Sequence, residues 1–232
     1  MVSAASVLSA RGVSKNYLME SVEVPALTDI DLEVASGEFL ALAGSSGSGK
    51  TTLLNLFGGL DVPSSGEILI DGVHAASLTD DILSEFRSER IGFVFQTFNL
   101  LPVLTALENV EYPLRLLKVP AEQRATMARE ALTRVGLEKH MSHRPGQMSG
   151  GQRQRVAIAR ALVKKPRVIL ADEPTANLDK KTAQEILALM QELNRIDGIT
   201  FVFSTHDHAV LKMATRVFWM SDGRHVPEME KY

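Results

Sequence analysis

One glycine-rich stretch decides the fold of this chain: Gly44-Ser45-Ser46-Gly47-Ser48-Gly49-Lys50-Thr51. It fits the phosphate-loop pattern G-x-x-x-x-G-K-S/T at every fixed position. Glycine permits backbone angles that other residues avoid, so successive N–H groups can turn inward and cradle the β- and γ-phosphates of a nucleotide. Lys50 adds a positive charge there, and the Thr51 hydroxyl is an oxygen ligand of the kind that Mg²⁺ prefers. The stretch therefore predicts a site for a nucleoside triphosphate with Mg²⁺.

The flanks of this loop supply the context that the motif requires. Residues 39–43 are a short apolar run, which is typical of a buried strand, and Thr52 opens a stretch that predicts a helix. The positive end of that helix would face the phosphates. Strand, loop and helix in this order predict an α/β fold with a nucleotide-binding core.

The composition is that of an ordinary globular protein and excludes several classes of function. The 232 residues include 25 basic and 28 acidic side chains, so the net charge of -3 gives no reason to expect a nucleic-acid partner. The absence of cysteine excludes disulfides and thiolate metal sites. Residues 1–10 lack the features of a signal peptide, and no apolar run is long enough to span a bilayer. We therefore expect a cytosolic chain whose membrane role depends on a partner.

Two stretches in the first part of the chain alternate apolar and polar residues. Residues 7–17 and 22–34 have the pattern of half-buried antiparallel strands, and residues 67–71 predict another strand after a turn. We expect these strands to form a small antiparallel sheet over the nucleotide. Residues 91–95 then predict a buried strand that ends at Gln96.

The pattern changes after Gln96. In residues 106–117 and 121–135, apolar residues recur at helical spacing, which predicts a helical insertion. After residue 167 the alternation returns, with strands at 168–171, 200–204 and 217–220 and helices at 182–194 and 209–214. The predicted single domain, 1–232, comprises a nucleotide-binding core with its β-subdomain at 1–96 and 161–232 and a helical subdomain at 97–160.

A later apolar strand ends in two acidic residues, Asp172 and Glu173. A phosphate-loop enzyme needs an acid at such a strand end to complete its metal site. We expect Asp172 to hold Mg²⁺ through water, and Glu173 to orient and deprotonate the water that attacks the γ-phosphate. Together with the phosphate loop, this pair of acids predicts nucleotide hydrolysis.

A second glycine-rich helix start lies at Ser149-Gly150-Gly151-Gln152. A serine N-cap followed by free N–H groups would also suit a γ-phosphate. One nucleotide hardly needs two such cradles. The longer segment Met148-Ser149-Gly150-Gly151-Gln152-Arg153-Gln154-Arg155 resembles the LSGGQ signature of ATP-binding cassette (ABC) proteins, with methionine in place of the leading leucine. The resemblance covers nearly the whole chain.

This resemblance implies a fold, a partner and further site residues. The implied fold is a RecA-like core with a small antiparallel β-subdomain and an inserted α-helical subdomain. In the family, the signature of one subunit closes over ATP held by another, so the implied partner is a second copy of this chain. Tyr17 would stack on adenine, Gln96 would sense Mg²⁺ and the attacking water, and Asp179 would be the D-loop residue. His206 would be the switch histidine that contacts the γ-phosphate.

Three segments resemble the branch of the family that contains the lipoprotein-releasing ATPase LolD and the efflux ATPase MacB: Phe95-Gln96-Thr97-Phe98-Asn99-Leu100-Leu101-Pro102, Leu107-Glu108-Asn109-Val110 and Gly58-Gly59-Leu60-Asp61. This implies an integral membrane permease of few spans, a periplasmic partner reached through it, and a peripheral position at the cytoplasmic face of the inner membrane. The alternative is a regulatory ATPase resembling FtsE, which switches a membrane partner's periplasmic activity without transport. Lipoprotein, peptide, drug and haem all stay open as substrates, because the substrate would touch the partner.

Two interpretations are open for the apolar residues that follow Gln96, which are Phe98, Leu100, Leu101 and Val103. These residues could belong to the core of the helical subdomain, or they could line a groove for a coupling helix of the membrane partner.

Overall fold

The computed structural model describes residues 6–227, apart from the side chains of Met19, His208 and Ala209. The two ends of the predicted domain, 1–5 and 228–232, lie outside the described residues. In chain order the elements are β1 (Ser6–Met19), β2 (Val22–Ala35), β3 (Phe39–Ala43), α1 (Lys50–Phe57), β4 (Ser65–Ile70), β5 (Val73–His74), α2 (Asp80–Arg90), β6 (Ile91–Val94), α3 (Ala106–Leu116), α4 (Ala121–Arg134), α5 (Gly150–Leu162), β7 (Val168–Asp172), α6 (Lys180–Asp197), β8 (Thr200–Thr205), α7 (His208–Met213), β9 (Arg216–Ser221) and β10 (Arg224–His225). Short 3-10 helices lie at Ala75–Ser77, Glu138–His140 and Pro145–Gln147. Within residues 6–227, none of the helices is both long and apolar enough to cross a membrane.

The early strands form an antiparallel sheet in the order β2-β1-β4-β5. The pairing of β1 with β2 runs from Ser6 opposite Ala35 to Met19 opposite Val22. Alternate side chains of these strands, such as Val13, face the core and are buried. The predicted antiparallel sheet is therefore confirmed. The ends of β1 and β2 lie within two residues of the predicted ends, whereas β4 begins two residues before and ends one residue before the predicted stretch 67–71.

The second sheet has the order β10-β9-β3-β8-β7-β6, and all of its strands except β10 run parallel. Every residue of β3 and β8 is buried, as expected for the middle of a parallel sheet covered by helices. The register places Ala43 beside Thr205 and Asp172 beside Ser204. The carboxyl ends of β3, β8 and β7 therefore lie at one edge, where the loops that follow them meet.

The helices α3, α4 and α5 pack against one another through buried apolar side chains such as Val110, Leu132 and Val156. The helices α3 and α4 begin at the predicted residues, and each ends one residue before its predicted end. The predicted boundary at residue 160 falls within α5, so the division between core and helical subdomain stays a prediction.

The helix α2 is an element that the sequence patterns do not predict. Leu83 is its one buried residue, so the segment lacks the apolar repeat that marks other helices. Acidic residues in its first turn and basic residues in its last turn favour it instead, because they complement the helix dipole.

A buried asparagine anchors the loop between β6 and α3. Asn109 has no exposed surface, and its Oδ1 accepts a hydrogen bond from the Leu101 N–H at 2.8 Å. Its Nδ2 donates to the carbonyl oxygens of Leu101, Leu104 and Thr105 over distances of 2.9 to 3.1 Å. The carbonyl oxygens of Leu101 and Thr105 also accept backbone N–H groups, so the Asn109 side chain adds the bonds to the Leu101 N–H and the Leu104 carbonyl oxygen.

We expect Asn109→Ala to lower the free energy of unfolding by about 2–4 kcal/mol, because it opens space in the core and removes the bonds to the Leu101 N–H and the Leu104 carbonyl oxygen. Urea denaturation measures this change. The matched control is Gln123→Ala on the exposed surface of α4, which should stay within about 0.5 kcal/mol of the parent. Equal stability of the two variants would contradict the anchoring role of Asn109.

Candidate nucleotide-binding site

An open cavity of about 680 Å³ lies where the loops after the parallel strands meet. Its volume lies within the range of small-molecule sites in proteins. Its lining comprises Ala26, residues 45–52, Gln96, Asp172, Glu173, Ala176 and His206. The fold thus brings the predicted loop, both predicted acids, Gln96 and His206 to one place.

Close packing requires glycine at two positions of the phosphate loop. A Cβ atom at Gly44 would lie 2.2 Å from the Met220 carbonyl oxygen, so no larger residue fits beside β9. Gly49 has a φ of 96°, and a Cβ there would lie 2.7 Å from the Ala26 carbonyl oxygen. Gly49 is also the N-cap of α1 and provides no capping side chain. The first N–H groups of α1 are therefore available to an anion.

Lys50 is buried, and oxygen atoms of the loop surround its ammonium group. Its Nζ donates to the carbonyl oxygens of Gly44 and Ser45 at 2.9 and 2.7 Å. Burial lowers the pKa of Lys50, and the nearby carboxylates of Glu173 and Asp172 oppose that change. The site therefore holds a cation close to two acids, which suits a ligand that carries both phosphates and a divalent metal ion.

The oxygen atoms at the end of β7 fit a magnesium ion. The Thr51 hydroxyl lies 3.1 Å from Asp172 Oδ1 and 3.3 Å from Oδ2. The Ser204 hydroxyl donates to Asp172 Oδ1 from the neighbouring strand. Hydroxyl and carboxylate oxygens are hard ligands, which Mg²⁺ prefers. Gln96 lines the same cavity and could add an amide oxygen.

Glu173 and His206 form a pair at the cavity wall. His206 Nδ1 lies 2.8 Å from Glu173 Oε1. The backbone of Glu173 has a φ of 44°, which is uncommon for a residue other than glycine. Its N–H donates to the Ser204 carbonyl oxygen at 3.0 Å, so the neighbouring strand helps to hold this conformation.

The signature residues lie outside this cavity in a single chain. Ser149 and Gln152 form a capping box at the start of α5, in which Ser149 Oγ accepts from Gln152 N at 3.2 Å and Gln152 Oε1 accepts from Ser149 N at 2.9 Å. A Cβ at Gly151 would lie 2.4 Å from Thr182 Cγ2, which explains glycine there. The helix start is thus preformed, although it does not reach the phosphate loop of its own chain.

Tyr17 and Asp179 are also absent from the cavity lining. The Tyr17 hydroxyl donates to Asp61 Oδ2 at 2.8 Å, and burial and this bond raise its pKa. The Lys15 ammonium lies 4.9 Å from the centroid of the Tyr17 ring. Asp179 caps α6 by accepting from Lys181 N and Thr182 N, and hydrogen bonds from Thr182 and Lys181 lower its pKa. The roles of both residues toward ATP stay predictions.

The structure adds two contacts that the sequence did not indicate. Ser204 bonds the Asp172 carboxylate, and Asn177 Nδ2 donates to the Gln96 carbonyl oxygen at 3.0 Å. The hydroxyl of Ser204 near the end of β8 is a weak signal, because Thr200 and Thr205 of the same strand carry hydroxyls as well. Neither partner could be assigned without the strand order.

The apolar residues after Gln96 divide between the two interpretations. Phe98 is buried and lies under the Arg153 guanidinium, and Leu100 packs against the core. Leu101 is 39% exposed and Val103 is 72% exposed. The first two residues are therefore core, and the last two remain candidates for a docking surface.

Comparison with known proteins agrees with this geometry. The model of the ABC transporter family matches residues 27–176. The ABC transporter ATP-binding protein YvrO of Bacillus subtilis (strain 168) is 52% identical over 217 residues, which cover 94% of each chain.

Solved structures show the same likeness. The dimeric, post-hydrolysis structure of the ATP-binding cassette MJ0796 of Methanocaldococcus jannaschii, bound to ADP and Pi, is 44% identical with a TM-score of 0.87, and the match covers 97% of this chain and 100% of that one. The structure of cbiO1 from Clostridium perfringens, part of the ABC transporter complex cbiONQ, is 33% identical with a TM-score of 0.85, covering 96% and 87%. The chain therefore has the ABC ATPase fold and belongs to the ABC transporter family of ATP-binding proteins.

Proposed function

We propose that this chain is the ATP-hydrolysing subunit of a membrane transporter of the MacB/LolD type, which exports a substrate or releases lipoproteins. One observation carries the proposal: the phosphate loop, Asp172, Glu173 and His206 surround a single cavity. The cofactors are ATP and Mg²⁺. Thr51 and Asp172, with Gln96, would hold the metal ion, which neutralises phosphate charge when bound.

In the proposed reaction, the loop N–H groups and Lys50 hold the β- and γ-phosphates. Glu173 accepts a proton from water as the water oxygen forms a bond to the γ-phosphorus. The bond from that phosphorus to the bridging oxygen breaks, and ADP and inorganic phosphate leave. His206 orients the carboxylate of Glu173, because its Nδ1 lies 2.8 Å from Oε1.

A second copy of the chain completes each site in this proposal. The preformed helix start at Ser149 is exposed and lies outside the cavity of its own chain, so it is free to contact ATP bound elsewhere. Asp179 would lie at the same interface. The dimeric structure of MJ0796 supports this arrangement.

ATP hydrolysis would drive a conformational change in a membrane permease that has few transmembrane spans. The permease would pass this change on to a periplasmic partner. The three segments that resemble LolD and MacB support this branch, and the transporter complex that contains cbiO1 supports a membrane partner in general. The chain would then act at the cytoplasmic face of the inner membrane. The exposed side chains of Leu101 and Val103 would contact the permease.

Replacing the proposed base tests the chemistry. Glu173→Gln keeps the shape of the side chain and removes its basicity, so turnover should fall by roughly 10²–10⁴-fold while ATP still binds. Steady-state phosphate release and nucleotide titration measure the two properties. Glu192→Gln, on the exposed surface of α6, is the matched control and should hydrolyse ATP as the parent does. Near-normal turnover of Glu173→Gln would refute the role of Glu173.

The proposed dimer has a separate test. In the Glu173→Gln background, saturating ATP should produce dimers in sedimentation velocity and ADP far fewer, because binding to the dimer alone shifts the equilibrium by mass action. Adding Ser149→Glu places a negative charge against the phosphates and should leave a monomer that still binds ATP. Ser36→Glu is the control, since Ser36 is exposed in the turn before β3, at the opposite end of that strand from the phosphate loop. Dimers of the Ser149→Glu protein would contradict the composite site.

The docking surface is tested with a charge at an exposed apolar position. Val103→Glu would bury an unpaired charge on docking and should weaken assembly by several kcal/mol without affecting nucleotide binding. Ile196→Glu, at a similarly exposed position on α6, is the control. Co-purification with the membrane subunit from detergent-solubilised membranes measures assembly. If both variants assemble equally well, the docking surface lies elsewhere.

A further inference from the structure

Gln154 is a buried polar side chain that the reaction described above does not use. It lies in α5, two residues beyond the signature, and has no exposed surface. Its Nε2 donates to the Pro174 carbonyl oxygen at 2.7 Å. Its Oε1 is buried and has no hydrogen-bond partner among the described residues. Burying an amide whose oxygen lacks a partner costs free energy, which the single bond from Nε2 offsets only in part.

That bond ends next to the proposed catalytic base. Glu173 directly precedes Pro174, and a residue before proline is normally extended. Glu173 instead has a φ of 44°. Its N–H donates to the Ser204 carbonyl oxygen at 3.0 Å, and its carbonyl oxygen accepts from Ala176 N at 3.2 Å. The bond from Gln154 fixes the next peptide unit, so three hydrogen bonds maintain an otherwise disfavoured backbone.

The same helix also contacts the far end of this loop. A Cβ at Gly150 would lie 3.2 Å from Leu178 Cδ2, and Gly151 packs against Thr182 of α6. The first turns of α5 therefore touch the segment 174–178 at its start, through Gln154, and at its end, through Gly150. A displacement of α5 would move the segment that carries the backbone of Glu173.

We propose that Gln154 is a positioning residue that couples the two ATP sites of the dimer, by transmitting the engagement of the signature to Glu173 of the same chain. The inference rests on the proposed function, in which Ser149 contacts ATP held by the second copy. Closure of the signature over that ATP sets the position of α5. Gln154 then holds Pro174, and with it the carboxylate of Glu173, in place at the chain's own ATP. Each site thus becomes competent when the other is occupied.

The first experiment separates positioning from simple stabilisation. Gln154→Met preserves the length of the side chain and removes the donor, and Gln154→Leu provides a second apolar replacement of different shape. We expect kcat to fall roughly 10- to 100-fold, as misplaced catalytic groups do, with KM and ATP affinity close to those of the parent. Ile158→Val, also fully buried in α5, is the control for core disturbance and should keep the parental kcat. Thermal unfolding identifies the variants that fold.

A lowered melting temperature with an unchanged kcat in either folded variant would overturn the positioning role, because Gln154 would then only satisfy a buried carbonyl group. A loss of ATP affinity equal to the loss of kcat would overturn it as well, since that would indicate a general disturbance of the site.

The coupling is tested by a double-mutant cycle of Ser149→Ala and Gln154→Met on kcat at saturating ATP. If the signature acts on Glu173 through Gln154, the double variant should lose less than the product of the two single losses. Losses that multiply would overturn the coupling. The parallel cycle with Ile158→Val should show no such interaction. Should Ser149→Ala alone leave kcat unchanged, the composite site of the proposed function would be wrong, whatever the result for Gln154.

Discussion

The parallel pairing of β3, β8 and β7 is the constraint on which the rest of the site depends. Ala43 lies beside Thr205 and Asp172 beside Ser204, so the three strands end together. A slip of one residue would turn every side chain of a strand to the opposite face of the sheet. It would separate the Asp172 carboxylate from the Thr51 hydroxyl that follows the phosphate loop. The buried, apolar character of these strands therefore fixes chemistry as well as packing.

The sequence predicts those features of the structure that depend on neighbouring residues better than those that depend on residues far apart along the chain. The phosphate loop and the helices α3 and α4 were predicted almost to the residue, because a local motif or an apolar repeat defines each of them. The helix α2 was missed, because Leu83 is its one buried residue. The family resemblance predicted Gln96 for the site, and the acidic end of a strand predicted Glu173. Asn177 and His206, whose side chains bond to them, lie 81 and 33 residues away along the chain, and the strand order brings them together.

The two glycine-rich helix starts differ in how their first backbone N–H groups are bonded. Gly49 leaves the first N–H groups of α1 without a side-chain cap, so they stay available to a ligand. At the start of α5, Ser149 and Gln152 already bond to each other's backbone N–H groups. The second start is therefore rigid before any partner arrives, and little ordering remains to oppose association.

The long edge strand β2 has a further consequence for assembly. Its exposed positions include Glu23, Pro25, Asp29, Asp31 and Glu33. Acidic side chains and a proline on an edge disfavour pairing with a strand of another molecule, and the irregular register between β1 and β2 adds to this protection. Two copies of the chain are thus discouraged from joining their sheets into one continuous ladder. Disfavoured edge pairing is what the proposed dimer requires, because its contacts would have to form and separate in each catalytic cycle.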